Sequence, residues 1–302
     1  MSSAQIKKII RRGIYFCIII LLFLIIYTHW DNNRVIIVEQ SISIEKLPND
    51  FEDFKILQIT DLHERVFGEK QQKLIKAINS VEYDVIVFTG DMLDDPDSTN
   101  FATFYMLIEG IENKNIAFFV PGNTDPDVFV KEKYNPIHDF IKGMEDRGVK
   151  LLDTFEEIKV GDSNLYLTYF ENSIIKKINE LDTAINDSDL LIALNHYPVP
   201  DGKIDLYKKS EEYAFRNYDL IIAGHYHGGQ IRLPFIGAVF IPESSYSNGG
   251  FLPPQDRVKG LWEYKGIQQY VSAGLGSSDA IPFLKFRFLN TPEINVLTLK
   301  RK

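Results

Sequence analysis

Seven side chains able to bind a cation or move a proton sit in five short segments of this 302-residue chain: Asp61 with His63, Asp91, Asn123, His196, and His225 with His227. Each follows directly on an apolar run. FKILQIT leads into Asp61-Leu62-His63, DVIVFT into Gly90-Asp91-Met92-Leu93-Asp94, and IAFFV into Pro121-Gly122-Asn123-Thr124-Asp125. LLIALN leads into His196, and YDLIIA into Gly224-His225-Tyr226-His227. Singly these segments say little, because Asp-x-His is usually a surface loop, Gly-Asp a turn, and an isolated histidine a hydrogen-bonded core residue. His225-x-His227 is more specific, since alternate residues of an extended loop point to opposite sides and can reach two ions. Five segments in the same position relative to five apolar runs point to one shared site. Carboxylate and imidazole with one neutral amide suit borderline ions such as Mn²⁺, Fe or Zn²⁺, whereas all-oxygen cages suit Mg²⁺ or Ca²⁺. Two such ions held side by side lower the pKa of a shared water. Asp94 and Asp125 fit either of two roles, carboxylates that orient the ligands or solvated loop acids.

The apolar runs predict the elements that position these residues. Phe54–Thr60, Asp84–Thr89, Ile116–Val120, Leu190–Asn195 and Tyr218–Ala223 are short and continuously apolar, as strands covered on both faces are. Helical patterns fall between them at 69–80, 100–113 and 136–147, so a mostly parallel α/β sheet is expected. In open sheets of that kind ligands bind beyond the carboxyl ends of the strands, which is where every segment lies. Alternating stretches at 158–170 and 258–273 predict antiparallel hairpins and hence a second sheet. Val35–Val38 and Ser41–Ile44 read as a strand pair leading into the domain.

These motifs resemble the calcineurin-like metallophosphoesterases, over roughly residues 51–302. Gly224–Pro234 (GHYHGGQIRLP), Tyr270–Gly276 (YVSAGLG) and Pro292-Glu293-Ile294 look like the membrane-associated bacterial branch of that family, which includes phosphodiesterases and some enzymes that hydrolyse nucleotide-linked lipids. The resemblance implies a four-layer α/β/β/α sandwich with two mixed sheets. It also implies that Asp61, His63 and His227 hold one divalent ion, that Asn123, His196 and His225 hold the other, and that Asp91 bridges them. In one place the sequence departs from the family. A histidine usually follows the asparagine of the third motif, where it neutralises phosphoryl charge and protonates the leaving oxygen; here Thr124 stands instead. Loss of a general acid costs about 10²- to 10⁴-fold. A leaving group good enough to need no acid, such as a nucleotide or aryl phosphate, fits this best. His138 and Tyr226 are the alternative proton donors, and a slow or inactive phosphate binder is the third outcome.

Composition narrows the remaining choices. Disorder is excluded by a chain that is 45% hydrophobic with 21 Phe and 15 Tyr. The net charge is −9, and because residues 1–34 contribute +4, the remainder carries −13, which repels nucleic acid duplexes. The only cysteine is Cys17, so neither disulfides nor thiolates take part in ligation. Gly13–Trp30 has no Asp, Glu, Lys or Arg, and its 18 residues reach about 27 Å as a helix, enough to cross a bilayer. Lys7, Lys8, Arg11 and Arg12 precede it and place the N-terminus in the cytoplasm. Tyr27–Asp31 reads as an interfacial anchor rather than a signal cleavage site, and Arg11-Arg12 matches a twin-arginine signal poorly. The expected division is a basic tip and anchor over 1–34 and a metallophosphoesterase domain over 35–302, outside the cytoplasm.

The functional expectation is therefore a membrane-anchored dinuclear phosphohydrolase acting on a phosphodiester or a nucleotide- or lipid-linked phosphate. Asp91, Asn123, Thr124 and His196 would lie at the chemistry. The alternative is a metal-dependent phosphate-binding or sensor module. A metallo-β-lactamase-type hydrolase is excluded, because its clustered His-x-His-x-Asp-His is absent. The uncharged Leu233–Pro242 (LPFIGAVFIP) reads first as a buried strand and turn, and second as an apolar lip beside the metals that contacts lipid.

Overall fold

The computed structural model describes residues 3–126, 135–175, 179–278 and 284–302. In chain order it contains α1 (Ser3–Asn32), β1 (Ile36–Ile44), β2 (Lys55–Ile59), α2 (Gln72–Asn79), β3 (Val85–Thr89), α3 (Ala102–Gly110), β4 (Ala117–Val120), α4 (Asn135–Glu145), β5 (Lys150–Leu151), β6 (Phe155–Val160) and β7 (Ser163–Tyr169). There follow α5 (Phe170–Ile175), α6 (Asn179–Ala184), β8 (Leu190–Leu194), α7 (Asp201–Lys209), β9 (Leu220–Ala223), β10 (Arg232–Leu233), β11 (Gly237–Ala238), β12 (Gly260–Tyr264), β13 (Ile267–Val271) and β14 (Glu293–Arg301).

Two six-stranded mixed sheets result, in the orders β1-β14-β2-β3-β4-β5 and β12-β13-β9-β8-β7-β6. In the first, β2, β3, β4 and β5 run parallel, and β14 is antiparallel to β2 but parallel to β1. In the second, β7, β8, β9 and β13 run parallel, flanked by the antiparallel β6 and β12.

Side-chain alternation along these strands creates the layers. Ile56, Val85, Val87, Phe118 and Val120 of the first sheet face Leu190, Ile192, Leu194, Leu220 and Ile222 of the second in one inter-sheet core. Their neighbours Leu57, Ile59, Ile86, Phe88 and Phe119 pack instead against Leu74, Phe104 and Phe140 of α2, α3 and α4. On the far side, Leu191, Ala193 and Ile221 pack against Phe170, Leu181 and Ile204 of α5, α6 and α7. The apolar runs are continuous because both faces of each strand are buried, and the stacking is α/β/β/α.

Several sequence expectations need adjusting. The proposed strand pair before residue 45 is one nine-residue edge strand, β1, paired throughout with β14. Its polar interruption, Glu39 and Ser41, points to solvent and leaves the ladder intact. The helix expected from 69 begins only at Gln72, because Lys70 and Gln71 take positive φ and the Gln71 carboxamide binds the Phe67 N–H and the Arg65 carbonyl. Leu233–Pro242 is not a buried strand: β10 and β11 form a small hairpin whose Phe235 is fully exposed, with Leu233, Ile236 and Phe240 also exposed.

The α1 helix is long and apolar enough to cross a membrane, and a signal sequence would pass the same test. Its last turn belongs to the fold. Asp31 and Asn32 are buried, and the Asn32 carboxamide donates to the Arg287 carbonyl (2.6 Å) while accepting from the Arg287 N–H (2.8 Å).

The inter-sheet core sets the stability of this arrangement. Truncating fully buried Ile192 to Ala should cost about 2–5 kcal/mol in urea unfolding, whereas Ile37→Ala on the exposed side of β1 should cost under about 1 kcal/mol. Equal costs would contradict the layer assignment.

Candidate metal centre

The carboxyl ends of β2, β3 and β4 in one sheet and of β8 and β9 in the other meet at a single rim. Buried Gln58 ties the two sheets together just below it, donating to Thr89 Oγ1 and to the Ala223 carbonyl, both at 2.8 Å. The first sheet brings Asp61, His63, Asp91 and Asn123, and the second brings His196, His225 and His227.

Ligand atoms of Asp61, His63, Asp91 and His227 lie within 4.8 Å of one another, as do those of Asp91, His196 and His225. Asp91 belongs to both groups. Its Oδ2 is 3.4 Å from His63 Nε2 and 3.2 Å from His196 Nε2, while Oδ1 accepts the Thr124 N–H at 2.9 Å. In the first group His227 Nε2 is 3.3 Å from His63 Nε2 and 3.7 Å from Asp61 Oδ1. In the second, His196 Nε2 is 3.0 Å from His225 Nδ1 and 3.2 Å from Asn123 Oδ1. All seven predicted ligands are therefore brought together.

The chemistry of this donor set fits two cations. Burial drives the His63, His225 and His227 rings toward the neutral form, His225 down to about 3, so the nitrogens facing one another offer lone pairs. Ligands each about 2.1 Å from one ion stand about 3.0–3.4 Å apart, which matches the observed nitrogen spacings. His196 Nδ1 lies 3.0 Å from the Thr89 carbonyl, a pure acceptor, so Nδ1 carries the hydrogen and Nε2 is left for ligation. Burial would lower the His196 pKa, but the Asp91 and Asp61 carboxylates outweigh it and raise the ring to about 9. Asp61 is pushed up to about 7 by burial and by the Asp91 charge. Burial also opposes ionisation of Asp91, yet His196 and His63 hold it far below the usual carboxylate range. The cluster thus concentrates negative charge that only protons or cations can balance.

The backbone is bent to make this possible. Asp61, His63, Asp91, His225 and His227 all have φ between 47° and 65°, a region that costs a residue with a side chain about 1 kcal/mol or more. Compensating hydrogen bonds run from the Asp61 N–H to the Gly90 carbonyl, from His63 N–H to the Asp91 carbonyl, and from His225 N–H to the Asp61 carboxylate. Gly122 is required by close approach, because a Cβ there would stand 2.2 Å from Asp91 Oδ1.

Asp125 resolves one open alternative, since it is buried rather than a solvated loop acid. Its carboxylate accepts the N–H groups of Asp91, Met92, Leu93 and Gly122 at 2.7–3.1 Å, fixing the two loops that carry Asp91 and Asn123. Asp94 is partly exposed, pairs with Lys285 and lies 3.8 Å from His63 Nδ1, too far for a direct hydrogen bond. The Thr124 hydroxyl donates to the Leu93 carbonyl at 2.8 Å. Tyr226 is buried with its hydroxyl on Glu243 (3.3 Å) and its pKa pushed far up, so it supplies no proton to the site. The side chain of His138 lies outside the described residues.

Two contributors were not predicted. The Tyr197 ring packs edge-on against His225 and His196, with centroids 4.6 and 5.0 Å away. Arg287 is completely buried, and its guanidinium donates to the carbonyls of Asn290, Gly276, Ala273 and His227. Its position as a single cation between Phe286 and Phe288 was the available signal. Above the ligands opens a cavity of about 710 Å³, with His63, Asp91, Asn123, His225 and His227 on one side. Its other wall is apolar, formed by residues that include Val239, Phe240, Phe251, Phe286 and Phe288.

Comparison with known proteins identifies the family. The model of the calcineurin-like phosphoesterase family matches residues 54–229. Relatives include an uncharacterized metallophosphoesterase of Bacillus subtilis, YkuE, 28% identical over 271 residues that span 87% of this chain and 84% of that protein. Another, from Campylobacter jejuni, is 25% identical over 301 residues spanning 94% of this chain and 69% of its own. Among solved structures, the phosphopantetheinyl hydrolase of Mycobacterium tuberculosis is 12% identical with a TM-score of 0.41, over 74% of this chain and 91% of that one. With its buried aspartate–histidine cluster suited to divalent cations, this chain belongs to the calcineurin-like phosphoesterases, a family of metal-dependent phosphoester hydrolases.

Proposed function

We propose that the protein is a membrane-anchored phosphodiesterase with two metal ions, one held by Asp61, His63 and His227 and the other by Asn123, His196 and His225, with Asp91 shared between them. The observation that carries this reading is the position of Asp91 Oδ2, within 3.4 Å of a ring nitrogen from each group. Mn²⁺, Fe or Zn²⁺, when bound, supplies Lewis acidity to a phosphoryl group and activates water. The chain's own part is to hold the geometry. Asp125 fixes the Asp91 and Asn123 loops, and the Thr89 carbonyl fixes the His196 tautomer.

No proton donor follows Asn123, because the Thr124 hydroxyl is committed to Leu93. The lack of an acid at position 124 favours diesters and nucleotide-linked phosphates with leaving groups of low pKa. The same feature motivates the second reading, a phosphate-binding module without turnover. The α1 helix would anchor the domain over 35–302 in the cell membrane. Lys7, Lys8, Arg11 and Arg12 would keep the N-terminus in the cytoplasm and the domain outside it.

Three outcomes follow. Bis(p-nitrophenyl) phosphate should be hydrolysed with added Mn²⁺, and Asp91→Ala should lower kcat by about 10³-fold or more; metal binding without turnover would favour the binding module. Thr124→His should raise turnover of a simple alkyl phosphomonoester by about tenfold or more, and no rise would remove the missing-acid argument. Finally, protons on Asp61 (about 7) and His196 (about 9) compete with cations. Mn²⁺ affinity should therefore weaken as pH falls from 9 through 7, with proton release on binding measurable by calorimetry in buffers of different ionisation enthalpy. Affinity independent of pH would contradict the assignment.

A further inference from the structure

We propose that the groove between α1 and the Phe286–Phe288 segment binds the alkyl chain of a membrane lipid, so that the lipid's phosphoester reaches the metal-binding residues while its chain stays in apolar surroundings. This inference rests on the phosphodiesterase reading above and specifies its substrate class.

The groove holds about 540 Å³; its apolar lining is Leu21, Leu24 and Ile25 of α1 with Phe286 and Phe288, and the rest of its lining is polar and includes Arg65. The same two phenylalanines line the cavity over His63, Asp91 and His227. One pair of rings therefore faces both the anchor helix and the metal-binding residues. A lipid with its chain in the groove would pass over the edge of these two rings to bring its phosphate into the cavity.

The groove is held in place by the fold. Asn32, at the end of α1, exchanges two hydrogen bonds with the Arg287 backbone, between those two phenylalanines, and its carbonyl accepts from Arg65 at 2.7 Å. Thr291 donates to Asp31 at 2.8 Å. The Arg287 guanidinium in turn donates to the His227 carbonyl at 3.2 Å. The helix is thus tied through Arg287 to a metal-binding loop.

The surroundings identify the occupant. Leu21–Ile25 lie within the uncharged part of α1, on the side nearer the domain, so the groove would open toward the acyl region of the adjoining leaflet. Next to it, Phe288 exchanges backbone hydrogen bonds with Gln230 and Arg232, where the β10–β11 hairpin begins. That hairpin exposes Phe235 completely and Ile236 by half, and Phe251 and Leu252 beside it are also half exposed. Water-facing surfaces of monomeric proteins rarely gather so many large apolar side chains, and such patches mark interaction sites. A bilayer satisfies the rim and supplies the chain.

The test uses the full chain in phosphatidylcholine nanodiscs with Mn²⁺ and two diesters, p-nitrophenyl methyl phosphate and p-nitrophenyl hexadecyl phosphate. In both, the oxygen of water joins phosphorus, the bond to the aryl oxygen breaks, p-nitrophenolate leaves with the electron pair and solvent takes the proton. The leaving group is the same, so only the retained chain differs. Leu24→Trp narrows the groove without altering how the substrate partitions into the bilayer, and should lower the hexadecyl-to-methyl ratio of kcat/KM by about tenfold. An unchanged ratio overturns the proposal. A hexadecyl phosphate bearing a diazirine near the chain end should label peptides containing Leu21–Thr28 and Leu284–Phe288; labelling confined to other peptides also overturns it. If neither diester is hydrolysed, the phosphodiesterase reading fails, and the labelling result still decides the groove.

Discussion

Two buried carboxylates, Asp61 and Asp91, share a rim with four imidazoles, and the rest of the site answers to that constraint. Removing ionised groups from water costs several kcal/mol apiece unless opposite charge and hydrogen bonds replace the solvent. Here the positive charges acting on Asp61 are His196 and Arg287, while burial drives the other three rings toward neutral. A pair of cations would replace the missing positive charge and use the lone pairs at once. The left-handed backbone at five of the ligands is tolerable because those loops are over-determined, with Asp125 alone accepting four N–H groups.

The ligand groups do not divide by sheet. Asp61 and His63 come from the first sheet but meet His227 from the second, and Asn123 from the first meets His196 and His225 from the second. The site therefore depends on the sheets keeping their relative position. The inter-sheet core provides most of that, aided at the rim by Gln58 and by the buried contact of Asn295 with Tyr270. Arg287 extends the same logic to the third side, where it binds the carbonyls of Ala273, Gly276 and Asn290 and ties the end of α1 to the His227 loop.

Much of this was legible in the sequence, because strands buried on both faces read as continuous apolar runs and their ends mark where loops converge. FKILQIT, DVIVFT, IAFFV, LLIALN and YDLIIA are all strands, and every side chain expected at the rim is found there. β14 was harder to see. Its alternation is visible in EINVLTLKR, but its place between β1 and β2 depends on a partner about 240 residues away. Asp125 was ambiguous because a loop acid beside Asn-Thr looks the same whether it faces water or four amides. Tyr197 and Arg287 carry no motif, and only the packing of distant segments gives them a role. The apolar rim of β10–β11 was misjudged for the converse reason: an uncharged run normally signals burial, and nothing in the run itself tells that Phe235 and Ile236 face outward.

Asp91 is proposed to lie between two cations. Anomalous diffraction at the manganese edge, from crystals of the full chain grown with Mn²⁺, tests it most directly. Two peaks about 3.5–4 Å apart are expected, one beside Asp61, His63 and His227, the other beside Asn123, His196 and His225, with Asp91 touching both. A single peak, or two peaks that Asp91 does not join, would contradict it.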